Sequence, residues 1–484
     1  MGKIWKLRWG RKIGYTVWGA LGVGLLALLA WLIVGTLDFD EPALTLKTPV
    51  EVVGAKTALL LEAADQDTGL KAVKVTFSQG NQSQVVVERT FPPGGGRGEK
   101  VEVPVMLEPK ALGFQEGKAT LRVEAWDRSW RNLFKGRRAS LSREVVIDLV
   151  PVSLTYQGVS HRLHAGGTGV ITYRLNKDVK ESGLMVGNRF YHGFPNPKGA
   201  KGDFAVLFPV PQEGVAAFQV QLVARPSLGN EIKHPLTLKA KPRKWRHDSL
   251  NLPEGFLRKV ASSFPVANPN DLLGSYLDVN RNVRQRNHEQ FLKVCSHSAP
   301  QPLWSGPFQR FFGKPMARFG DRRTYLFQGK VVDQQTHLGE DLASLITSPV
   351  YAGNHGVVVL AEPLGIYGDT VILDHGLGVF SSYSHMSAID VKVGDKVQKG
   401  AVLGKTGTTG LAYGDHLHFA INLQGEFVDP LEWWDSHWLK DQVEKVWAQA
   451  GKTTGAVAEG AEPKPAAGKK KAGKGKAKKA KSRR

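Results

Sequence analysis

The residues able to do chemistry crowd into one stretch, between Thr336 and Phe419. The first element is Thr336-His337-Leu338-Gly339-Glu340-Asp341. A His and an Asp four residues apart reach one divalent cation if the chain turns between them, and Gly339 allows such a turn. The second element is Gly414-Asp415-His416-Leu417-His418-Phe419. On a strand, residues i and i+2 face the same way, so His416 and His418 would present two imidazoles together while Leu417 and Phe419 face a core. The third, Tyr383-Ser384-His385-Met386, places another His on an expected strand. Alone, each is a weak signal. The chain has 14 histidines and 44 acidic residues, enough to generate such spacings by chance.

Together the elements supply His, Asp and His with two histidines to spare. Imidazole and carboxylate suit zinc, and a catalytic zinc site keeps three protein ligands and one water. That water, its pKa lowered towards about 7, attacks an acyl carbon at neutral pH. Two non-ligand histidines would take its proton, stabilise an oxyanion or protonate a leaving amine. Spacing alone does not say which of His416 and His418 holds metal.

The segments "HLGED", "YSHM", "GKTGTTG" and "GDHLHFAI" stand in the order found in lysostaphin-type (LytM-like) zinc metallopeptidases, and residues 320–436 resemble that family. Both of its signature motifs, H-x-x-x-D and H-x-H, are intact, as is the His between them. The resemblance implies an antiparallel β fold around a groove. It implies one Zn2+ held by His337, Asp341 and His418, with His385 and His416 as catalytic, non-ligand histidines. It also implies hydrolysis of peptide bonds in bacterial cell-wall peptidoglycan. Met386 replaces the family's more usual Leu, a mild change.

Other matches are decoys. Gly400–Lys405 looks like a phosphate loop but has three residues between its glycines, not four. His375 reads as structural. Cys295 and His297 lack a second pair of metal ligands. Trp433, Trp434 and Trp438 read as packing an edge rather than stacking on sugar.

These residues need a scaffold, and the sequence is mainly β. Residues 43–150 alternate with period 2 at Val73/Val75/Phe77, Val101/Val103/Val105/Leu107 and Leu121/Val123/Ala125, between turn-rich segments. They read as an immunoglobulin-like β domain. Residues 151–243, with Ile171/Tyr173/Leu175 and Phe218/Val220/Leu222, read as a second β-sandwich domain. A faint similarity between "VEAWDRSWRN" and "LVARPSLGN" fits a tandem pair of spacers. Residues 244–300 read as a helical linker, with Leu272, Tyr276, Val279 and Val283 at helical spacing after the capping candidates Asn270 and Asp271. Residues 301–440 read as the LytM-type zinc metallopeptidase domain that the resemblance implies. Residues 451–484, rich in Lys, Ala and Gly, cannot bury enough apolar surface to fold and read as a disordered tail.

The N-terminus bears on the compartment. Residues 13–37 hold no charge. As a helix they would be about 37 Å long, against a hydrocarbon core of about 30 Å. A cleaved signal peptide has a shorter apolar run and ends at small residues. The reading is therefore a single-pass transmembrane helix. Residues 1–12, with Lys3, Lys6, Arg8, Arg11 and Lys12, would lie in the cytoplasm and the rest in the periplasm, outside a bacterial inner membrane.

The net charge is +21, and most of the excess sits in the two ends. The folded middle is therefore not marked as a nucleic-acid binder, and nucleic acid is an unlikely partner. Expected partners are peptidoglycan, the cytoplasmic membrane and, at the basic tail, an anionic wall polymer or lipid. One cysteine rules out an intrachain disulfide framework. Two functions stand: a membrane-anchored zinc endopeptidase, or a non-catalytic LytM-like regulator of a separate amidase. Retention of all five site residues favours the enzyme.

Overall fold

The computed structural model describes residues 18–30, 40–93, 98, 100–129, 135–227, 230–343 and 345–450. Residues 18–30 are helical, and the remainder of the expected 13–37 span lies outside the described residues. Among the described residues no helix is long and apolar enough to cross a membrane. The 451–484 tail and the 1–12 basic segment also lie outside them. The chain divides into two compact units. One comprises Met1–Ser153, Asn176–His192 and Gln219–Thr237, the other Leu154–Leu175, Gly193–Phe218 and Leu238–Arg484.

In the first unit, alternation of apolar and polar residues gives two sheets over one core. A five-stranded sheet runs Val52–Val53, Arg138–Ile147, Gly117–Asp127, Leu70–Gln79, Gln82–Thr90. A three-stranded sheet runs Ala43–Leu46, Thr57–Ala64, Lys100–Leu107. Along Lys100–Leu107, Val103, Val105 and Leu107 are buried while Glu102, Pro104 and Met106 are exposed. Leu61, Val75, Phe77, Val105 and Val123 meet inside, which is the geometry of a β-sandwich.

In the second unit, residues 154–175 and 193–218 supply a four-stranded sheet centred on Thr168–Leu175. It shares a core with the C-terminal domain: Val170 and Leu207 pack in one cluster with Leu417, Phe419, Ile421 and Trp433. Polar ties reinforce it. The Trp433 indole N–H donates to Thr168 Oγ1 at 3.1 Å. The Ser160 hydroxyl donates to the Gln442 carbonyl at 2.8 Å.

The C-terminal domain is built on Val379–Ile389, which pairs antiparallel with Asp369–Asp374, Leu417–Leu423 and Val402–Thr406. Glu340–Ala343 pairs with Leu417–Leu423. One face of this sheet carries the core just described. On the other, Ile372, Phe380, Ala420 and Phe427 pack against Leu257, Val260, Tyr276, Val279, Val283 and Phe291. These last six come from helices Glu254–Ser263, Leu272–Asp278 and Arg284–Val294 and the wider π-type turn Val279–Val283. Asp271 caps Leu272–Asp278 by accepting the Gly274 N–H at 2.8 Å. The segment expected as a linker thus lies on the domain's sheet, with Tyr276, Val279 and Phe291 fully buried.

Candidate metal centre

Asp341 and His418 are direct Cα partners in the antiparallel pair of Glu340–Ala343 with Leu417–Leu423. Cross-strand partners have Cβ atoms about 4.5–5.5 Å apart, so the ladder itself brings the two side chains together. Asp341 Oδ1 lies 2.8 Å from His418 Nδ1 and 3.0 Å from His337 Nε2. The two imidazole nitrogens are 3.1 Å apart. All three residues are buried.

His337 reaches this point because Gly339 lets the chain pass against His418. A Cβ on Gly339 would sit 2.7 Å from the His418 ring and 2.6 Å from the Phe419 carbonyl oxygen. The sequence assigned Gly339 to turn flexibility, but it is not among the positive-φ residues. Its missing side chain, rather than an unusual backbone angle, is what the site uses.

The three atoms fit a cation. The His337 ring donates from Nδ1 to the Arg318 carbonyl at 3.0 Å, so its Nε2 presents a lone pair to the cluster. A lone pair, a carboxylate oxygen and a second imidazole nitrogen then converge in a buried space, which is unfavourable without a positive charge between them. Ligands at about 2.0–2.1 Å from a tetrahedral zinc lie about 3.3 Å apart. The observed 2.8–3.1 Å needs only a slight opening to match. His418 Nε2 is buried without a hydrogen-bond partner.

The remaining two histidines face the same space. The His385 and His416 ring centroids are 4.9 Å apart, and His385 is 5.9 Å from His418. His385 has φ +64, in the left-handed region, within an irregular stretch of its strand. For a residue other than glycine this is a strained conformation of the kind found at functional sites. Its imidazole lines the groove. His385 Nδ1–H donates to the Thr409 carbonyl at 2.8 Å, and His416 Nδ1–H donates to the Gly414 carbonyl at 2.8 Å. Both therefore direct Nε2 into the site, that of His416 ending 3.5 Å from Asp341 Oδ1.

Electrostatics separates these groups. Burial alone would raise the Asp341 carboxyl. The surrounding His337, His416 and His418 imidazoles outweigh burial and hold Asp341 well below the usual carboxylate range. Burial pushes His418 down to about 4. It also pushes His385 well below the usual imidazole range, helped by the neighbouring His416 and His418. Burial would lower His416 too, but its hydrogen bond and attraction to Asp341 carry it upward.

The site opens into a cavity of about 530 Å³. Its walls include Leu250, Phe256, Tyr276 and Arg284 from the strand and helices that precede the domain, and Tyr413 from the loop leading to His416. That loop is tied down by Lys259, whose Nζ donates to the Thr408 and Ala412 carbonyls at 3.1 and 3.0 Å.

Comparisons with known proteins bear on the same stretch of chain. Residues 335–430 match the model of Peptidase family M23. The chain carries an M23 peptidase domain. Over 96 residues it is 38% identical to the peptidoglycan DD-endopeptidase ShyA of Vibrio cholerae, covering 20% of this chain and 22% of that protein. Over 95 residues it is 37% identical to the DD-carboxypeptidase/endopeptidase Mpg of Neisseria meningitidis, covering 20% and 22%. The chain thus matches less than a quarter of the length of these relatives. Among solved structures, the catalytic domain of lysostaphin from Staphylococcus simulans aligns at 29% identity and a TM-score of 0.21, over 25% of this chain and 90% of that one.

All five residues singled out in the sequence meet in the M23 domain: His337, Asp341 and His418 as a group that could hold a metal ion, His385 and His416 beside it. The decoys lie elsewhere. His375 is buried and bonded to the His355 carbonyl at 2.6 Å and Ser381 Oγ at 2.7 Å. Cys295 is buried in the helical segment's core. The sequence did not expose Arg323, which contacts Asp341, or Lys259, which braces the loop before His416. No spacing motif marks either residue, since both act across long sequence separations.

Proposed function

We propose that the chain is a membrane-anchored zinc metalloendopeptidase that hydrolyses peptide bonds of cell-wall peptidoglycan. The observation that carries this reading is the convergence of three buried ligand atoms within 3.1 Å, with two further histidines aimed at the same groove. His337 Nε2, Asp341 Oδ1 and His418 Nδ1 would hold the ion. A bound zinc would supply a Lewis acid and a water of lowered pKa.

The chain's own residues do the rest. His385 is neutral at neutral pH because burial disfavours its charge, and its Nδ1–H is committed to Thr409. Its Nε2 is therefore the proton acceptor. His416 is the more easily protonated of the two, through Asp341. With Nδ1–H held by Gly414, its Nε2–H is placed to stabilise a developing oxyanion or protonate the leaving amine. Environments that push two neighbouring groups apart in this way mark an acid and a base.

The relatives' names, DD-endopeptidases of peptidoglycan, support the substrate class, and the cavity is within the usual size range of ligand sites. The uncharged stretch 13–37, preceded by five basic residues, supports an inner-membrane anchor with the M23 domain outside. The basic run after residue 451 would hold anionic wall polymer or lipid headgroups.

Purified sacculi incubated with the full-length chain, with products read by mass spectrometry, test the activity. New peptide ends that disappear in His385→Ala are expected. Absence of products from a zinc-loaded protein would leave a regulatory role. Membrane fractionation tests the anchor, and recovery in the soluble fraction would remove it.

A further inference from the structure

We propose that Arg323 is a positioning residue that decides how many oxygens Asp341 offers to a cation: it occupies Oδ2 and leaves Oδ1 alone for the metal. The inference rests on the metallopeptidase reading above and concerns a residue no motif contains.

The carboxylate is divided between two tasks. Oδ1 meets His418 Nδ1 and His337 Nε2 at 2.8 and 3.0 Å. Oδ2 accepts from Arg323 Nη2 at 2.8 Å. The strand fixes the Asp341 Cα opposite His418, but it does not fix the plane of the carboxylate, because the terminal torsion is broad. A group outside the strand has to set that plane, and Arg323 is in contact with Oδ2 to do so.

Arg323 suits the task. It stands on Arg322–Phe327, held between His247–Asn251 and Lys330–Thr336, with Asp248 and Gln335 as its Cα partners. Its side chain is only about a fifth exposed. A flat guanidinium with fixed N–H directions loses less orientational freedom than an ammonium would.

The consequence is for the metal's open position. A catalytic metal needs three protein ligands and room for water and substrate. If both Asp341 oxygens bound the ion, the second would take up that room. Arg323 holds Oδ2 away from it. Outer partners of metal ligands typically affect affinity or activity by about 10–100-fold.

The test uses Co2+ as the probe in the full-length chain, because its visible absorption is strong in four-coordinate sites and weak when coordination rises. The wild-type chain is expected to give the intense spectrum. Arg323→Met, similar in length but without a donor, is expected to lose absorption several-fold and to lower kcat on crosslinked muropeptides more than it changes KM. Arg323→Lys, which keeps one donor, is expected to recover part of the intensity. Circular dichroism of the metal-free variants checks folding. If Arg323→Met does not fold, Arg323→Gln is compared with Arg323→Lys in its place. A folded Arg323→Met with the wild-type spectrum would overturn the assignment while leaving the peptidase reading intact. A wild-type chain that takes up no Co2+ would overturn both.

Discussion

Asp341 and His418 stand directly opposite each other on adjacent antiparallel strands, and their side chains meet at 2.8 Å between Oδ1 and Nδ1. The candidate metal site is thus built on a strand ladder, with one of its residues on each of two hydrogen-bonded strands. His337 joins from the turn before the first strand, where Gly339 passes the His418 ring.

Removing either strand ligand should remove the site. Asp341→Asn and His418→Ala are expected to lose stoichiometric zinc. Added zinc should raise the melting temperature of the wild-type chain, by the linkage between binding and folding, and leave both variants unchanged. Differential scanning fluorimetry with and without zinc checks this.

Gly339→Ala tests the close approach. The added methyl would collide with the His418 ring and the Phe419 carbonyl, at 2.7 and 2.6 Å, and neither can swing away as the end of a flexible side chain would. Zinc affinity is expected to fall at least about tenfold, the lower end of the effects seen when a ligand's supports are disturbed. Wild-type affinity by competition with a chromogenic chelator would contradict this.

Lys259→Ala separates the loop from the metal. Lys259 holds the Thr408 and Ala412 carbonyls and touches no ligand. Losing it should slacken the chain leading to His416 and lower kcat several-fold, with zinc content unchanged. Steady-state kinetics beside metal analysis distinguishes these effects.

Glu432 gives the domain a pH-dependent stability. Burial pushes its carboxyl up to about 8, and the Thr168 N–H, donating to Oε2 at 2.7 Å, only partly opposes this. Its folded-state pKa lies above the ordinary 4.5. Between these values the folded chain keeps the proton and the unfolded chain loses it. Stability contributed by this group is therefore complete below about pH 4.5 and declines as pH rises towards 8. The decline is on the order of 3–5 kcal/mol, at about 1.4 kcal/mol per pKa unit. Glu432→Gln keeps an acceptor for Thr168 and is expected to flatten the fall in melting temperature over this window.

The candidate residues were legible in the sequence because they come in closely spaced pairs. His337 and Asp341 share one turn, and His416 and His418 share one face at strand spacing. The supporting contacts were not legible, because they join distant segments. Arg323 reaches Asp341 across 18 positions, and Lys259 reaches Ala412 across 153. His385 could be placed on a strand, but its left-handed backbone arises from a pairing irregularity that no residue type announces. Period-2 patterns showed the β character throughout. The burial of Tyr276 and Phe291 against the sheet of the M23 domain depends on tertiary packing, and helical spacing alone shows only that one face is apolar.

The most direct measurement is cleavage of a purified, crosslinked muropeptide dimer by the full-length chain, before and after its metal is chelated and one equivalent of zinc restored. Activity should disappear on chelation, return with zinc in the wild type, and never return in His418→Ala. Cleavage that persists in the chelated protein, or in zinc-treated His418→Ala, would contradict it.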